Sequence, residues 1–293
     1  MKYNNLFSVI IPTYKRVFEV KKAIDSVISQ TINNWEIIVV DNNSKDGTIN
    51  LIKSYNNEKI KLFFINNNGN IAKSRNLGIK KSSGNYLAFL DSDDVWKSNK
   101  LEECQKILNK NIKLVYHDMY IKRKVGNFLS KKTGYCRTLK KPIYKDMILN
   151  GPAFPTSSVV VEKKILKKIN YFNENKELIT WEDYDAWIRL SKISESFFEI
   201  KKTLGYLYIG KENNLRPNNQ IANIYAFKKK YLSKNDIFFP NWCNFALMRS
   251  LIKIKKFDQS LNFFKKIKIN KFSFFQKIKI FVFYKIIKLK ISI

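Results

Sequence analysis

The chain is poor in the residues that mark several large protein classes. Its three cysteines, Cys104, Cys136 and Cys243, stand far apart with no C-x-x-C pair. That argues against a disulfide framework and a cysteine zinc site, and it fits a reducing cytoplasm. No run of 18 apolar residues occurs, so no membrane-spanning helix is expected. Met1-Lys2-Tyr3-Asn4-Asn5 leads straight into a strand-length run, without the apolar stretch and cleavage site of a secretory leader. Neither the G-x-G-x-x-G of dinucleotide-binding folds nor a Walker A loop is present. The single histidine, His117, falls in a strand-like stretch, where packing is the ordinary role.

Acidic residues are scarce towards the end. From Ile221 to Ile293 there are 17 basic and 2 acidic residues, about half of the net charge of +31. Lysine outnumbers arginine 48 to 7, as a biased base composition would write, but bias does not explain the missing acids. A basic surface seeks nucleic acid, anionic lipid or phosphorylated ligands. No helix-turn-helix, zinc or RNA-stacking motif supports a nucleic-acid-binding protein.

What the chain does have is regular alternation. Phe7 to Ile11 reads as a buried strand that Pro12, lacking an N–H, should end. Val17 to Ser29 carries a helical stripe at 17, 20, 24, 27 and 28. A second strand, Trp35 to Val40, stops at Asp41, and Ser44 can cap a helix over 47–55. A third strand, Ile60 to Ile65, a polar loop, a helix over Ile71 to Lys81 and a fourth strand, Tyr86 to Leu90, follow. Continuously apolar strands alternating with amphipathic helices predict an α/β fold, a mostly parallel, Rossmann-like sheet with helices on both faces. Such sheets bind ligands beyond the carboxyl ends of their strands. Thr13, Asp41 and Asp91 occupy those ends and should line one edge.

Two acidic stretches stand out. Asp91-Ser92-Asp93-Asp94 puts three carboxylates within four residues, where like charges raise each other's pKa. One reading is a solvated turn capping the next helix. The other is a seat for Mg²⁺ or Mn²⁺, hard cations that suit carboxylate oxygens and substrate phosphates. Trp181-Glu182-Asp183-Tyr184-Asp185 opens the second stretch, with apolar residues at 181, 184, 187, 188 and 190 predicting a packed helix. Asp185 and Arg189 form an i,i+4 pair, and Thr180-x-x-Asp183 also reads as a capping box. Between the two stretches the pattern predicts a helix over Asn99 to Asn109, a strand over Ile112 to Lys122, an irregular basic loop to Lys141, and a strand over Thr156 to Val161. A last strand should cover Leu204 to Ile209.

Four segments resemble the family 2 glycosyltransferases in order and spacing. They are Ser-Val-Ile-Ile-Pro-Thr-Tyr-Lys-Arg (8–16), Glu-Ile-Ile-Val-Val-Asp-Asn-Asn-Ser-Lys-Asp-Gly-Thr (36–48), Asn-Gly-Asn-Ile-Ala-Lys-Ser-Arg-Asn-Leu-Gly (68–78) and Tyr-Leu-Ala-Phe-Leu-Asp-Ser-Asp-Asp (86–94). The resemblance covers about 1–210 and is similar to the bacterial surface-polysaccharide type. It implies a GT-A fold and inverting transfer of a sugar from a nucleotide-sugar, usually UDP-linked, to a saccharide acceptor that is often lipid-linked, as in O-antigen, lipopolysaccharide or capsule synthesis. By the same resemblance, Pro12, Thr13, Tyr14 and Asp41 would border the nucleotide base. Arg75, Asp91 and Ser92 would lie at the donor, and Asp93 would hold Mn²⁺ or Mg²⁺. Asp183 would be the catalytic base, with Trp181 and Glu182 supporting the acceptor; Glu182 or Asp185 is the alternative base. Family members often carry a histidine loop after the last strand. Here Gly210-Lys211-Glu212 stands instead, with Lys211 as a candidate phosphate partner.

The sequence divides into a GT-A domain at 1–215 and a basic, helical C-terminal extension at 216–293. Asn241 to Ile254 and Phe257 to Ile267 read as a helical hairpin, while Phe272 to Ile293 fits helix and strand alike. Its mixed basic and apolar residues suit an anionic membrane surface, placing the protein at the inner face of the plasma membrane. An inactive partner protein of the same fold is the other reading, which the intact Asp91, Asp93 and Asp183 oppose.

Overall fold

The computed structural model describes residues 6–125, 128–132, 136–178, 180–209, 217–232 and 239–291. Three of the four strands near the start, all but the edge strand, are apolar on both sides because helices cover both faces of their sheet. β1 (Phe7–Thr13) and β2 (Trp35–Asp41) are buried at every position. α1 (Val17–Ile28) joins them, and α2 (Thr48–Ser54) leads to the edge strand β3 (Ile60–Phe64). α3 (Ile71–Lys81) returns the chain to β4 (Tyr86–Phe89). All four strands are parallel.

Next come β5 (Val95–Trp96), α4 (Lys100–Leu108), β6 (Leu114–Val125), β7 (Phe128–Lys132) and α5 (Ile143–Asn150). They are followed by β8 (Val160–Glu162), α6 (Lys163–Lys168), α7 (Glu182–Ser191) and β9 (Phe197–Ile209). The nine described strands form one sheet in the order β3-β2-β1-β4-β8-β6-β9-β5, with β7 paired to β6. β8 runs antiparallel to β4 and β6, whereas β6 and β9 are parallel. Alternation along the strands sends Val9, Ile11, Ile37, Val39, Ala88 and Leu90 into one core with α1 and α4. Phe89 faces the other way, onto Phe172 and Trp187 of α7. α3 covers that second face closely. A Cβ on Gly78 would come within 2.6 Å of Ile10, so only glycine lets the helix lie this near β1.

Several expectations need correction. β1 runs past Pro12, which pairs with Val40. The Thr13 carbonyl accepts from Asn42 on the β2 side, so Pro12 turns its missing donor towards β4, whose pairing has already ended at Ile10 and Phe89. The basic stretch expected to be irregular holds the β6–β7 hairpin, because a lysine-rich strand lacks the apolar alternation that announces one. Thr156–Ser158 is a single 3₁₀ turn rather than strand; Ser158 Oγ donates to the Pro155 carbonyl, a local bond that competes with a ladder. β9 begins at Phe197, seven residues earlier than Leu204.

The chain separates into two compact units. The first comprises Met1–Ile143, Ala153–Glu174 and Glu182–Asn213; the second comprises Tyr144–Pro152, Asn175–Trp181 and Asn214–Ile293. The second unit is helical, with α8 (Pro217–Tyr231), α9 (Asn241–Lys253), α10 (Phe257–Phe264) and α11 (Phe274–Ile291). Met248, Ile267, Ile280 and Ile287 form its small core. Ile280 and Ile287, two turns apart, settle the last stretch as helix. Among the described residues no helix is long and apolar enough to cross a membrane.

A buried polar cluster lies at the end of the sheet away from the acidic loop. Glu36, at the start of β2, is buried, and its Oε1 accepts from Ser8 Oγ at 2.6 Å, Ser83 N at 2.6 Å and Ser83 Oγ at 2.7 Å. Lys61 Nζ reaches its other oxygen at 2.8 Å. Gly84 N donates to Ser8 Oγ, and a side chain at Gly84 would strike the Leu6 carbonyl at 2.5 Å. Burial alone would raise the Glu36 pKa, but the hydrogen bonds from Lys61, Ser8 and Ser83 carry it down to about 2. A folded pKa below the unfolded one stabilises the fold above the unfolded value, and that contribution is lost as pH falls from about 4.5 towards 2. Glu36→Ala strands several buried donors and should cost about 2–4 kcal/mol at pH 7, read by urea unfolding. The difference from wild type should shrink on acidification across that window.

Candidate functional site

The parallel strands deliver their carboxyl ends to one edge. Thr13, the last residue of β1, is buried, and its hydroxyl has no partner among the described residues. Pro12 before it is buried, and Tyr14 after it is 48% exposed. Asp41 ends β2, fully buried. Its two oxygens accept from Ser44 N at 2.7 Å and Ser44 Oγ at 2.6 Å, and Ser44 Oγ in turn accepts from Lys15 N. The loops after β1 and β2 are thereby tied together.

The acidic loop follows β4. Asp93 pairs with Arg16, at the entry to α1. Ser92 is buried and Asp91 is half-buried. Asp91 Oδ1 receives Arg75 from α3 at 2.7 Å. The other guanidinium arm of Arg75 pairs with Glu182, at the start of α7. One buried arginine therefore joins the two acidic stretches, which lie some ninety residues apart in the chain. Asn70 caps α3, its side chain accepting from Ala72 N. The Arg75 guanidinium also lies 5.7 Å from the Phe172 ring.

Asp183, next to Glu182, is half-buried and accepts from the Thr156 hydroxyl. Its other oxygen takes the N–H of the next residue, Tyr184, at 2.7 Å. Burial raises the Asp183 pKa against the pull of Arg75 and the Thr156 hydrogen bond. Burial likewise pushes Glu182 up to about 7, with the Asp183 charge adding to it and Arg75 opposing. Asp185 points elsewhere, to Arg189 at 2.7 Å, and that arginine caps the Ile169 and Tyr171 carbonyls. Trp181 belongs to the second unit, its ring 5.8 Å from Trp242 and 6.5 Å from Phe227. Lys211 lies outside the described residues.

Thr156, Ser157, Trp96 and Lys100 also hold the site, and the sequence alone does not single them out. The 3₁₀ turn at 156–158 is a hub: Thr156 serves Asp183, while the Ser157 hydroxyl donates to Asp94 at 2.5 Å and accepts from Asp91 N at 3.1 Å. Burial, with Asp93 and Asp91 close by, pushes Asp94 well above the carboxylate range. The Ser157 carbonyl takes the Trp96 indole N–H at 2.8 Å. Over that indole, 3.5 Å from the ring centroid, lies the ammonium of the fully buried Lys100. Burial lowers the Lys100 pKa to about 8. The hydroxyl run Thr156-Ser157-Ser158, directly after Pro155, was the available signal.

The acidic loop offers hard oxygen donors, two of them half-buried. Among the described residues no group of three or more metal-ligating side chains is assembled. One or two carboxylates together with substrate phosphates is the set this loop can provide, and that fits Mg²⁺ or Mn²⁺.

Comparison with known proteins follows the same lines. A family profile described as glycosyl transferase family 2 matches residues 8–169. The chain is 30% identical over 191 residues to the Escherichia coli UDP-Glc:alpha-D-GlcNAc-diphosphoundecaprenol beta-1,3-glucosyltransferase WfgD, covering 64% of this chain and 70% of that protein. It is 30% identical over 250 residues to a glycosyltransferase of Methanocaldococcus jannaschii, covering 80% and 83%. A Rickettsia bellii glycosyltransferase is 32% identical over 257 residues, but the match spans only 34% of its length. Among solved structures, Staphylococcus aureus TarS 1–349 with UDP aligns at TM-score 0.56 and 20% identity, over 91% of this chain and 76% of that one. A Pyrobaculum calidifontis mannosyltransferase with GDP-Man and Mn²⁺ aligns at TM-score 0.59 and 14% identity, over 87% and 75%.

The shared arginine yields a direct test. Arg75→Met removes the partner of a buried carboxylate, Glu182, and of Asp91. It should destabilise the chain by about 3–5 kcal/mol in urea unfolding at pH 7. Arg75→Lys should not restore the loss, since an ammonium cannot reach both carboxylates as a fork.

Proposed function

The chain belongs to glycosyl transferase family 2 and has the GT-A fold, and from that premise we propose that it transfers a sugar, with inversion, from a UDP-sugar to a lipid-linked saccharide. The observation that carries the reading is the convergence of Asp91, in the acidic loop that also holds Asp93, with the raised carboxyl of Asp183, linked through Arg75 and the 156–158 turn. In this reading Pro12, Thr13, Tyr14 and Asp41 seat the nucleotide, and the unpartnered Thr13 hydroxyl and the second lone pairs of Asp41 supply its hydrogen bonds. Ser92 and Asp91 line the sugar side of the donor, held by Arg75. Asp93 would hold Mn²⁺ or Mg²⁺, which when bound supplies positive charge to the leaving diphosphate.

Asp183 takes the proton from the acceptor hydroxyl. The hydroxyl oxygen bonds to the anomeric carbon from the face opposite the diphosphate, and the anomeric C–O bond to phosphate breaks with its electron pair. Glu182 supports the acceptor side. WfgD is named for an undecaprenyl-diphosphate acceptor, and a lipid-linked acceptor fits the second unit of this chain. α11 exposes Phe274, Phe275, Phe281 and Leu289 beside Lys277, Lys279, Lys285, Lys288 and Lys290. Such a helix suits an anionic membrane surface, and we place the enzyme there, peripheral at the inner face of the plasma membrane, in O-antigen, lipopolysaccharide or capsule synthesis.

UDP binding by calorimetry, with and without Mn²⁺, tests the donor side. Wild type should bind more tightly with the ion, and Asp93→Ala should lose that dependence; no UDP binding under either condition overturns the reading. Asp183→Asn should lower kcat by about 10²–10⁴-fold with UDP affinity preserved. Because Asp183 must be ionised to accept a proton and its pKa is raised, kcat should climb with pH on a limb above the ordinary carboxylate range. NMR of the product should show inverted anomeric configuration; retention refutes the single displacement.

A further inference from the structure

Next to the acidic loop, the far side of the sheet carries rings and amines that the transfer chemistry above does not use. Tyr120 of β6 and Tyr206 of β9 are paired in register, and their rings stack with centroids 5.4 Å apart and planes at 25°. Lys122 and Tyr208, two residues further along each strand, are partners again, and Lys122 Nζ donates to Tyr208 Oη at 3.1 Å. A period of two puts all four on one face. Met119 and Ile121, at the alternate positions of β6, turn into the core.

The Lys122 ammonium lies 4.1 Å from the Tyr206 centroid and 5.2 Å from that of Tyr208. Lys97, immediately after β5, sets its ammonium 5.0 Å over Tyr120. Among the described residues neither amine has a carboxylate partner. Two amines thus rest on a floor of three half-exposed tyrosine rings. The ring faces are taken up by one another and by the two amines, which the rings hold in position. Ammonium groups suit a phosphate, and stacking on the rings holds them in place without neutralising them.

The floor is joined to the reacting groups. Tyr208 N donates to Asp94, Ser157 donates to the same carboxylate, and the neighbouring Thr156 donates to Asp183. It lies on β6, β9 and β5, whereas the donor candidates Thr13, Asp41 and Asp91 sit at β1, β2 and β4, with β8 between the two sets. We propose that Lys97 and Lys122, held in place by Tyr120, Tyr206 and Tyr208, bind the phosphate of a phosphorylated sugar, the phosphate that links the first sugar of the acceptor to lipid. The inference rests on the glycosyltransferase reading for the word acceptor, and on these contacts alone for the ligand chemistry.

The test uses the full chain and ligand-observed NMR titrations with N-acetylglucosamine 1-phosphate, N-acetylglucosamine and UDP. Wild type should bind the sugar phosphate clearly more tightly than the neutral sugar. Tyr206→Ala and Lys122→Met should each weaken the sugar phosphate by about tenfold or more and leave UDP affinity within about twofold. Tyr206→Phe, which keeps the ring, should retain binding. Lys122→Met keeps the aliphatic stem, so it carries the test if Tyr206→Ala unfolds. Equal affinity in wild type and variants, competitive displacement by UDP, or no binding to wild type at millimolar concentration each overturns the proposal. Sugar-phosphate binding with no UDP binding would leave this site standing and remove the donor reading instead.

Discussion

A single buried guanidinium is the constraint on which the site depends. Arg75 is 3% exposed, yet it carries two carboxylates on separate elements, Asp91 after β4 and Glu182 at the start of α7. Removing a charge from water costs several kcal/mol, and only well-placed opposite charges offset it. The arrangement therefore stands or falls as a unit. Arg75 cannot be buried without both acids, and the acids cannot be held this close without Arg75. Glu182 still sits at about 7 beside it, because its burial outweighs the attraction. The result is an acidic centre of limited charge within a chain whose net charge is +31.

Around that centre, small hydroxyls do the fine positioning. Ser44 saturates one face of Asp41, Thr156 orients Asp183, and Ser157 binds Asp94 and the backbone of Asp91. Hydroxyls donate and accept at once, so each can bridge an acid to the backbone without adding charge. Beneath them, Lys100 on the Trp96 ring fixes the indole that holds the Ser157 carbonyl. His117, also fully buried, is pushed down to about 3 by burial and by the Lys100 charge, and it stays neutral beside that ammonium.

The parallel half of the fold was plain in the sequence because buried strands there are uninterrupted and helices show a 3.6-residue stripe. Thr13, Asp41 and Asp91 could be placed on one edge from topology alone. The antiparallel half was less legible. β5 has two residues, β8 three, and β7 is rich in lysine, so none displays enough period to be seen. Arg75 could be named from motif resemblance, but its double partnership could not, since that depends on how α3 and α7 meet the sheet. In sequence the 156–158 turn reads as strand because valines follow it directly. Its own hydroxyls, bonding locally, decide otherwise.

The order of strands in the sheet bears on how the protein is made. β4 pairs with β8, and β5 with β9, so each pairing waits for chain synthesised long after the first strand has left the ribosome. Until Glu162 emerges, the nascent sheet β3-β2-β1-β4 has an open apolar edge at Leu87 and Ala88. Until Ile209 emerges, β5 and the outer edge of β6 have no mate. Unpaired apolar edges template association between chains, and non-local strand pairing is slow. A nascent chain of this topology therefore keeps unpaired strand edges through roughly its first two hundred residues, and a pause in translation before β9 would prolong their exposure.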